Sequence, residues 1–473
     1  MTTIPSSHPS APGRVLSTLN EDGSRRWLRP KLSPGSFWRM RRVVAYALMV
    51  IFFLIPYLRL NGKPLVLLDV PHRQFTLIGY TFLPTDTLLF MLLLMSIAIS
   101  IFLLTALFGR VWCGWACPQT VYMEFLFRPI ERFFEGGRSG SLAMDKAGGV
   151  KARRLAKNGV YLLLALFLAH TFLAYFVGIE QLVQWVQRSP LEHPTSFLIM
   201  AGTTALIFFD FAYFREQTCL VACPYGRLQS VLLDRQSVIV GYDPIRGEPR
   251  AHQVKDRPSG AGDCIDCGAC VLTCPTGIDI RDGLQMECIH CTQCADACDA
   301  IMDKVGKPRG LIRYTSRDEV EGKPTRLLRP RVILYPAALV VAVGLLAFNL
   351  GTKADTDVTL LRGAGAPFTR QPDGSVVNQV RVKITNRDAA ERSYRLEVSG
   401  VEGASLIAPQ NPVAVPGSRT AETSIFVVVP DDRFEDDRLP SVIRVTDGAG
   451  FTLDIPFELV GPAREHDDAG DGE

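Results

Sequence analysis

Five apolar runs stand out along the chain, at 43–58, 88–108, 160–177, 196–214 and 331–351. Each is sixteen to twenty-one residues long and carries at most one ionisable side chain. A helix of about 20 apolar residues crosses the hydrocarbon core of a bilayer. The pattern therefore predicts five transmembrane helices, since five such runs do not share one soluble core. The first run is short, and Trp38 with Arg41 and Arg42 is expected to anchor and snorkel at its start. The stretch 64–82 is broken by Asp69, Pro71, His72 and Arg73 and reads as a short hairpin. After the fifth run the period changes. Stretches at 376–384, 392–398, 420–429, 441–446 and 451–459 are β-rich and separated by Gly, Pro, Asn and Asp. That spacing predicts a β-sandwich of about 100 residues over 353–462.

Charge gives these elements a direction. The 473 residues carry 51 basic and 48 acidic side chains, a net +3 that excludes a chain built around a nucleic-acid footprint. The basic residues are unevenly placed. Residues 1–42 hold eight, the loop 59–87 three, the loop 109–159 nine, and the loop 178–195 only Arg188. Positive loops stay inside, so the N-terminus and the segment 215–331 are expected in the cytoplasm and the sandwich outside. No A-x-A cleavage site follows the first run, which is expected to remain a membrane helix. The organisation is then a Ser-, Pro- and Arg-rich arm at 1–37, expected to be disordered, and a four-helix membrane region at 38–230. A cytoplasmic α+β module at 231–330 with its core at 260–305 follows, then the fifth helix, the sandwich and an acidic tail at 463–473.

Cysteine adds chemistry to this plan. All twelve lie between Cys113 and Cys298, which points to metal or redox chemistry and away from a disulfide scaffold. Cys264, Cys267, Cys270 and Cys274, followed by Pro275, form C-x2-C-x2-C-x3-C-P, the bacterial ferredoxin run. Cys288, Cys291, Cys294 and Cys298 repeat it, with Asp299 in place of the proline. In two-cluster ferredoxins the fourth cysteine of each run serves the other cluster. The expected ligand sets are therefore Cys264, Cys267, Cys270 and Cys298 for one [4Fe-4S] cluster, and Cys288, Cys291, Cys294 and Cys274 for a second. Zinc also takes C-x2-C pairs, but two complete four-cysteine runs favour iron–sulfur clusters.

The other four cysteines make a second pattern. Cys113 and Cys117, followed by Pro118, come just after the second apolar run, and Cys219 and Cys223, followed by Pro224, just after the fourth. Both are C-x3-C-P with an arginine upstream, Arg110 or Arg215, so the two helix pairs look like a weak parallel repeat. Proline disfavours α geometry at the residue before it, so each pair is expected on a turn at the inner membrane face. Three readings stay open for these thiols: a copper or dithiol redox site, since soft thiolates suit Cu(I); a third iron–sulfur cluster; or a structural or zinc role. Asp210, within the fourth run, is a further metal or proton candidate, or a partner of Arg215. His170 in the third run reads as a packing histidine. Met91 and Met95, one turn apart, read as core packing before a copper path. His290, between cluster cysteines, reads as a hydrogen-bond donor to the site.

Taken together these residues resemble the FixG/RdxA/CcoG family of cytochrome c oxidase accessory proteins. The resemblance rests on 109–118, on 210–229 with Arg215-Glu216-Gln217 and Cys223-Pro224-Tyr225-Gly226-Arg227, on 264–299, and on Lys307-Pro308-Arg309-Gly310-Leu311. It implies an inner-membrane protein of bacteria with two [4Fe-4S] clusters and an immunoglobulin-like C-terminal domain. The implied activity is reduction of Cu(II) to Cu(I) during assembly of cbb3-type oxidases, an oxidoreductase reaction. Cys113, Cys117, Cys219 and Cys223 would be the copper-facing redox site. Implied partners are a copper chaperone or copper-exporting ATPase, oxidase subunits, membrane lipid and an electron donor the sequence does not identify; a homodimer is left open. Two other functions are open on the same residues. A quinol-oxidising membrane ferredoxin feeding a periplasmic reductase shares the cysteine patterns but generally lacks the sandwich. A non-enzymatic assembly scaffold would use the sandwich and dispense with the clusters.

Overall fold

The computed structural model describes residues 17–20, 22–60, 62–71, 73–83, 86–148, 151–251, 259–324, 329–388, 390–434 and 436–462. The acidic tail at 463–473 and the start of the N-terminal arm, 1–16, lie outside the described residues. The chain forms two compact units. The larger takes Met1–Leu58, Pro64–Phe75 and Phe82–Ala347, and the smaller takes Arg59–Lys63, Thr76–Thr81 and Phe348–Glu473.

In the larger unit, four helices are long and apolar enough to cross a membrane: Ser36–Tyr57, Thr87–Phe108, Ala152–Val177 and Pro194–Phe214. A fifth, Pro330–Thr352, leads out of it. The first starts seven residues before the apolar run, because its opening turn is built on the iron–sulfur module. The carboxylate of Asp296 accepts from the backbone N–H of Phe37 at 3.1 Å and of Trp38 at 2.7 Å. It thereby satisfies two of the free donors at the helix start. Gly35 permits this approach, since a Cβ there would lie 2.2 Å from the Asp296 carboxyl carbon. Spans three and four pack against each other. Between spans one and two, short strands at Val66–Asp69, Gln74–Leu77 and Tyr80–Phe82 form the hairpin segment.

The described part of the N-terminal arm corrects the expectation of disorder. Lys31 N–H donates to Leu272 O at 2.8 Å, and Thr273 Oγ1 donates to Lys31 O at 2.8 Å. Leu28 is buried against Gly277. The arm's arginines are neutralised by the fold: Arg29 pairs with Glu131 and Asp145, and Arg25 with Glu216. Composition reads such a segment as solvated because the acidic partners are distant in sequence.

The iron–sulfur module is α+β. Strand Ile239–Tyr242 pairs antiparallel with Ile312–Thr315, and helices Ala269–Thr273 and Gln293–Lys304 pack together beside them.

The smaller unit is a two-sheet β-sandwich. Its strands are β1 (Thr356–Arg362), β2 (Thr369–Arg370), β3 (Ser375–Asn386), β4 (Arg392–Ser399), β5 (Ser405–Ile407), β6 (Val413–Val415), β7 (Arg419–Pro430), β8 (Arg438–Thr446) and β9 (Thr452–Val460). One sheet runs β5-β7-β3-β1, with β2 beside β3; the other runs β6-β4-β8-β9. Alternation of period two along β3 sends Val376, Val380, Val382 and Ile384 inward. They meet Tyr394, Leu396, Ile443 and Val445 of the other sheet in a core without cysteine. The seven-residue β1 and the short strands β2, β5 and β6 were not legible as β-rich stretches, having little alternation of their own.

Candidate metal centres

Two enclosed cavities in the iron–sulfur module are walled by thiols. One is lined by Cys264, Cys267, Cys270 and Cys298, with Met302 and Leu311. The other is lined by Cys274, Cys288, Cys291 and Cys294, with Cys270 at its edge. The fourth cysteine of each run thus faces the other run's cavity, because helix Gln293–Lys304 carries Cys298 past Cys270 while Cys274 turns back at Pro275.

The backbone explains how the sulfurs converge. In the first run Asp266 and Gly268 flank Cys267 with φ of 49° and 65°; in the second His290 and Thr292 flank Cys291 with φ of 53° and 56°. Alternating right- and left-handed residues make a concave nest of N–H groups, the form that receives anionic clusters. Left-handed geometry at three non-glycine residues costs of order 1–3 kcal/mol each, so the fold around them must hold it. Among the described residues no three of His, Cys, Asp and Glu are gathered tightly enough for a single metal ion. Each set of four thiols instead lines its own cavity, and an all-sulfur donor set fits a [4Fe-4S] cluster.

The remaining four cysteines lie close together just beyond the C-terminal ends of spans two and four. Burial pushes the Cys113 thiol up to about 11, against the pull of the Arg110 guanidinium, and Cys117 and Cys223 add to the rise. Burial and the other three thiols push Cys219 up to about 12. The four sulfurs therefore lie within electrostatic range of one another. Both loops share a construction. Cys117 and Cys223 are extended, with ψ of 127° and 108°, and each immediately precedes a proline that opens a helix, Pro118–Tyr122 or Pro224–Leu232. The N–H of Cys117 donates to Trp112 O and that of Cys223 to Thr218 O, both at 2.8 Å.

The repeat is offset by one from its appearance in sequence. Gly109 and Arg215, four residues before Cys113 and Cys219, end spans two and four with φ/ψ of 59°/−129° and 56°/−121°. Arg215 thus stands where the first loop has glycine and is not the counterpart of Arg110. Its side chain is buried and makes a bidentate pair with Glu131, at 2.8 and 3.0 Å. Asp210 consequently does not pair with the Arg215 side chain. It accepts from Gln119 Nε2 at 3.1 Å and from Thr218 Oγ1, which ties the two cysteine loops together.

The thiol loops press on the second cavity. Cys113, Ile289 and Cys291 form one buried apolar cluster, with Tyr225 against it. Gly114 has no room for a side chain, since a Cβ would lie 2.6 Å from Ile289 O. Arg110 N–H donates to His290 Nδ1 at 3.1 Å, which puts the imidazole proton on Nε2. Burial, with the Arg110 charge, holds His290 down at about 3, so it stays neutral. His290 thus serves as an acceptor that fastens the thiol loop to the second run. Cys113 Sγ donates to Gln229 Oε1 at 3.0 Å. A further small cavity joins Cys219 to Pro275, Thr276 and Ile289.

The weaker candidates are not gathered here. His170 bonds Leu166 O within its own helix at 2.8 Å and lines an apolar cavity with Leu182 and Val186. Met91 and Met95 are exposed on span two. Arg41 was missed as a site residue. It does not snorkel; it is fully buried, with Nε donating to Gly114 O at 2.8 Å. Arg42 stays outside, over the Trp38 ring.

Three known families match parts of the chain. Residues 214–317 match a "4Fe-4S dicluster domain", residues 89–136 a "4Fe-4S binding domain", and residues 346–462 the "IG-like fold at C-terminal of FixG". Nitrogen fixation protein FixG of Rhizobium meliloti is 32% identical, over 89% of this chain and 89% of its own length. Protein RdxA of Cereibacter sphaeroides is 36% identical, over 79% of this chain and 82% of its own. Protein RdxB of the same organism is 35% identical, over 84% and 88%.

Proposed function

The chain belongs to the family of FixG, RdxA and RdxB, membrane iron–sulfur electron-transfer proteins, and from that premise we propose that it reduces Cu(II) to Cu(I) for the assembly of cbb3-type cytochrome c oxidase. Two [4Fe-4S] clusters, bound by the crossed cysteine sets, supply one-electron storage and transfer. The observation that carries the reading is the packing of Cys113 against Ile289 and Cys291. In this reading the four-thiol site lies beside Cys291, a ligand of the second cluster, across a buried apolar cluster. Cys267 is the exposed thiol of the first cavity, so electrons are taken up from a donor there and leave through Cys291. Each Cu(II) takes one electron and departs as Cu(I), the state that thiolates of Cys113, Cys117, Cys219 and Cys223 favour. Asp210 and Gln119 hold the two loops in register around the ion.

In this reading the N-terminus and the iron–sulfur module lie in the cytoplasm and the sandwich in the periplasm, which the concentration of basic residues in 1–42 and 109–159 supports. Cu(I) is then handed to a copper chaperone or exporting ATPase, while the sandwich is available to oxidase subunits. Replacing Cys113 and Cys219 by serine should abolish Cu(II) reduction by the pre-reduced protein while iron content and cluster EPR stay as in wild type. Unchanged reduction would overturn the site. A second reading is favoured by the 4Fe-4S family match at 89–136, which contains Cys113 and Cys117: the four thiols hold a third cluster. Iron analysis of anaerobic protein separates the two, since a third cluster raises the iron content by half.

A further inference from the structure

Arg41 is 0% exposed, and only one of its nitrogens is used by the protein. Nε donates to Gly114 O at 2.8 Å, while Nη1 and Nη2 are buried without a hydrogen-bond partner. The guanidinium lies over the Phe125 ring, 5.5 Å from its centroid. A buried guanidinium with open N–H groups is costly unless an anion completes it. Gly114, which holds Nε, lies against the Ile289 and His290 backbone, next to Cys291, which walls the second cavity.

We propose that Arg41 is a potential-setting residue of the second cluster, donating hydrogen bonds from Nη1 and Nη2 to its sulfur atoms and raising its reduction potential above that of the first. The inference rests on the two-cluster reading. A [4Fe-4S] cube with four thiolates is an anion that gains one further negative charge on reduction. A fixed cation and hydrogen bonds to sulfur therefore favour the reduced form, as they do in other iron–sulfur proteins. The position is rigid. The opening turn of span one is held by Asp296, which belongs to the same helix as Cys294 and Cys298. Gly114 O fixes Nε, and Phe125 supports the plane. Raising the second potential directs electrons from the exposed first cluster toward Cys113 and keeps them there until an acceptor arrives.

The test is an EPR-monitored redox titration of the full-length, detergent-solubilised protein as wild type, Arg41→Gln and Arg41→Lys. In Arg41→Gln one cluster should titrate at a lower potential and the other stay unchanged. Arg41→Lys, which keeps the charge but not the planar fork, should fall between. Selective loss of half the iron in Arg41→Gln, with both clusters kept in Arg41→Lys, also supports the role. Two unchanged potentials, an equal shift of both, or loss of all iron in both variants overturns it. Wild-type iron content and its two-cluster signal test the underlying reading separately, before any variant is made.

Discussion

Arg215 repeats the backbone conformation of Gly109, at φ/ψ of 56°/−121° against 59°/−129°. This region suits glycine and strains other residues by of order 1–3 kcal/mol. The bidentate pair with Glu131 and the neighbouring Glu216 hold Arg215 there. Arg215→Gly and Arg215→Ala should both destabilise the protein, by ~3–5 kcal/mol for a broken buried pair. Glycine should be the milder change, by roughly 1 kcal/mol or more. Thermal unfolding in detergent checks the order, which is the reverse of ordinary helix propensity.

Gly109 makes the reciprocal case. A Cβ there would sit 2.2 Å from Val238 O, at a positive φ. Gly109→Ala should destabilise the C-terminal end of span two by at least ~1–3 kcal/mol, read as a lowered midpoint and faster proteolysis.

Gly114 sets the distance between Cys113 and the Cys291 loop. Gly114→Ala places a methyl 2.6 Å from Ile289 O, and the loops must part. Misplacement of about 1 Å costs as much as 10²-fold in a positioned reaction. Single-turnover Cu(II) reduction should therefore slow by about tenfold or more, with iron content unchanged.

Glu131 lies under three cationic groups. Burial alone would raise its carboxyl, but Arg215, Arg29 and Lys157 outweigh it and hold the group well below the usual carboxylate range. A depressed carboxyl contributes its full stability above the unfolded value of about 4.3. That stability is lost as pH falls toward the folded value. Glu131→Gln should cost ~3–5 kcal/mol at neutral pH, and the gap to wild type should narrow below about pH 4. Unfolding midpoints from pH 3 to 8 give the comparison.

The sandwich core is apolar and contains no cysteine. Ile384 is fully buried between its sheets, so Ile384→Ala should cost ~2–5 kcal/mol. In calorimetry of the full chain, the sandwich transition should move down in this variant and be insensitive to reductant.

Much of the plan was legible along the chain because its signals are local. Apolar runs long enough to cross a bilayer stand out from any window of sequence, and C-x2-C-x2-C names a sulfur cluster by spacing. Long alternating strands such as β3 were plain for the same reason. What was missed is long-range. The arm 17–35 looked solvated because Glu131, Asp145 and Glu216, its partners, are far along the chain. Arg41 looked like a lipid-interface residue, since nothing in its neighbourhood predicts Gly114 O above it.

The sequence by itself determined that two kinds of cysteine site exist, that five helices are apolar enough to span a membrane, and that a cysteine-free β domain follows them. Periodicity and ligand spacing suffice for each. Only the tertiary structure decided that four separate thiols lie close together, that Arg215 answers to Gly109, and that Cys113 shares a buried cluster with Ile289 and Cys291. Those relations depend on which surfaces pack together. Gly35 and Gly114 set that packing by leaving out a side chain, where Asp296 and the Ile289 carbonyl approach most closely.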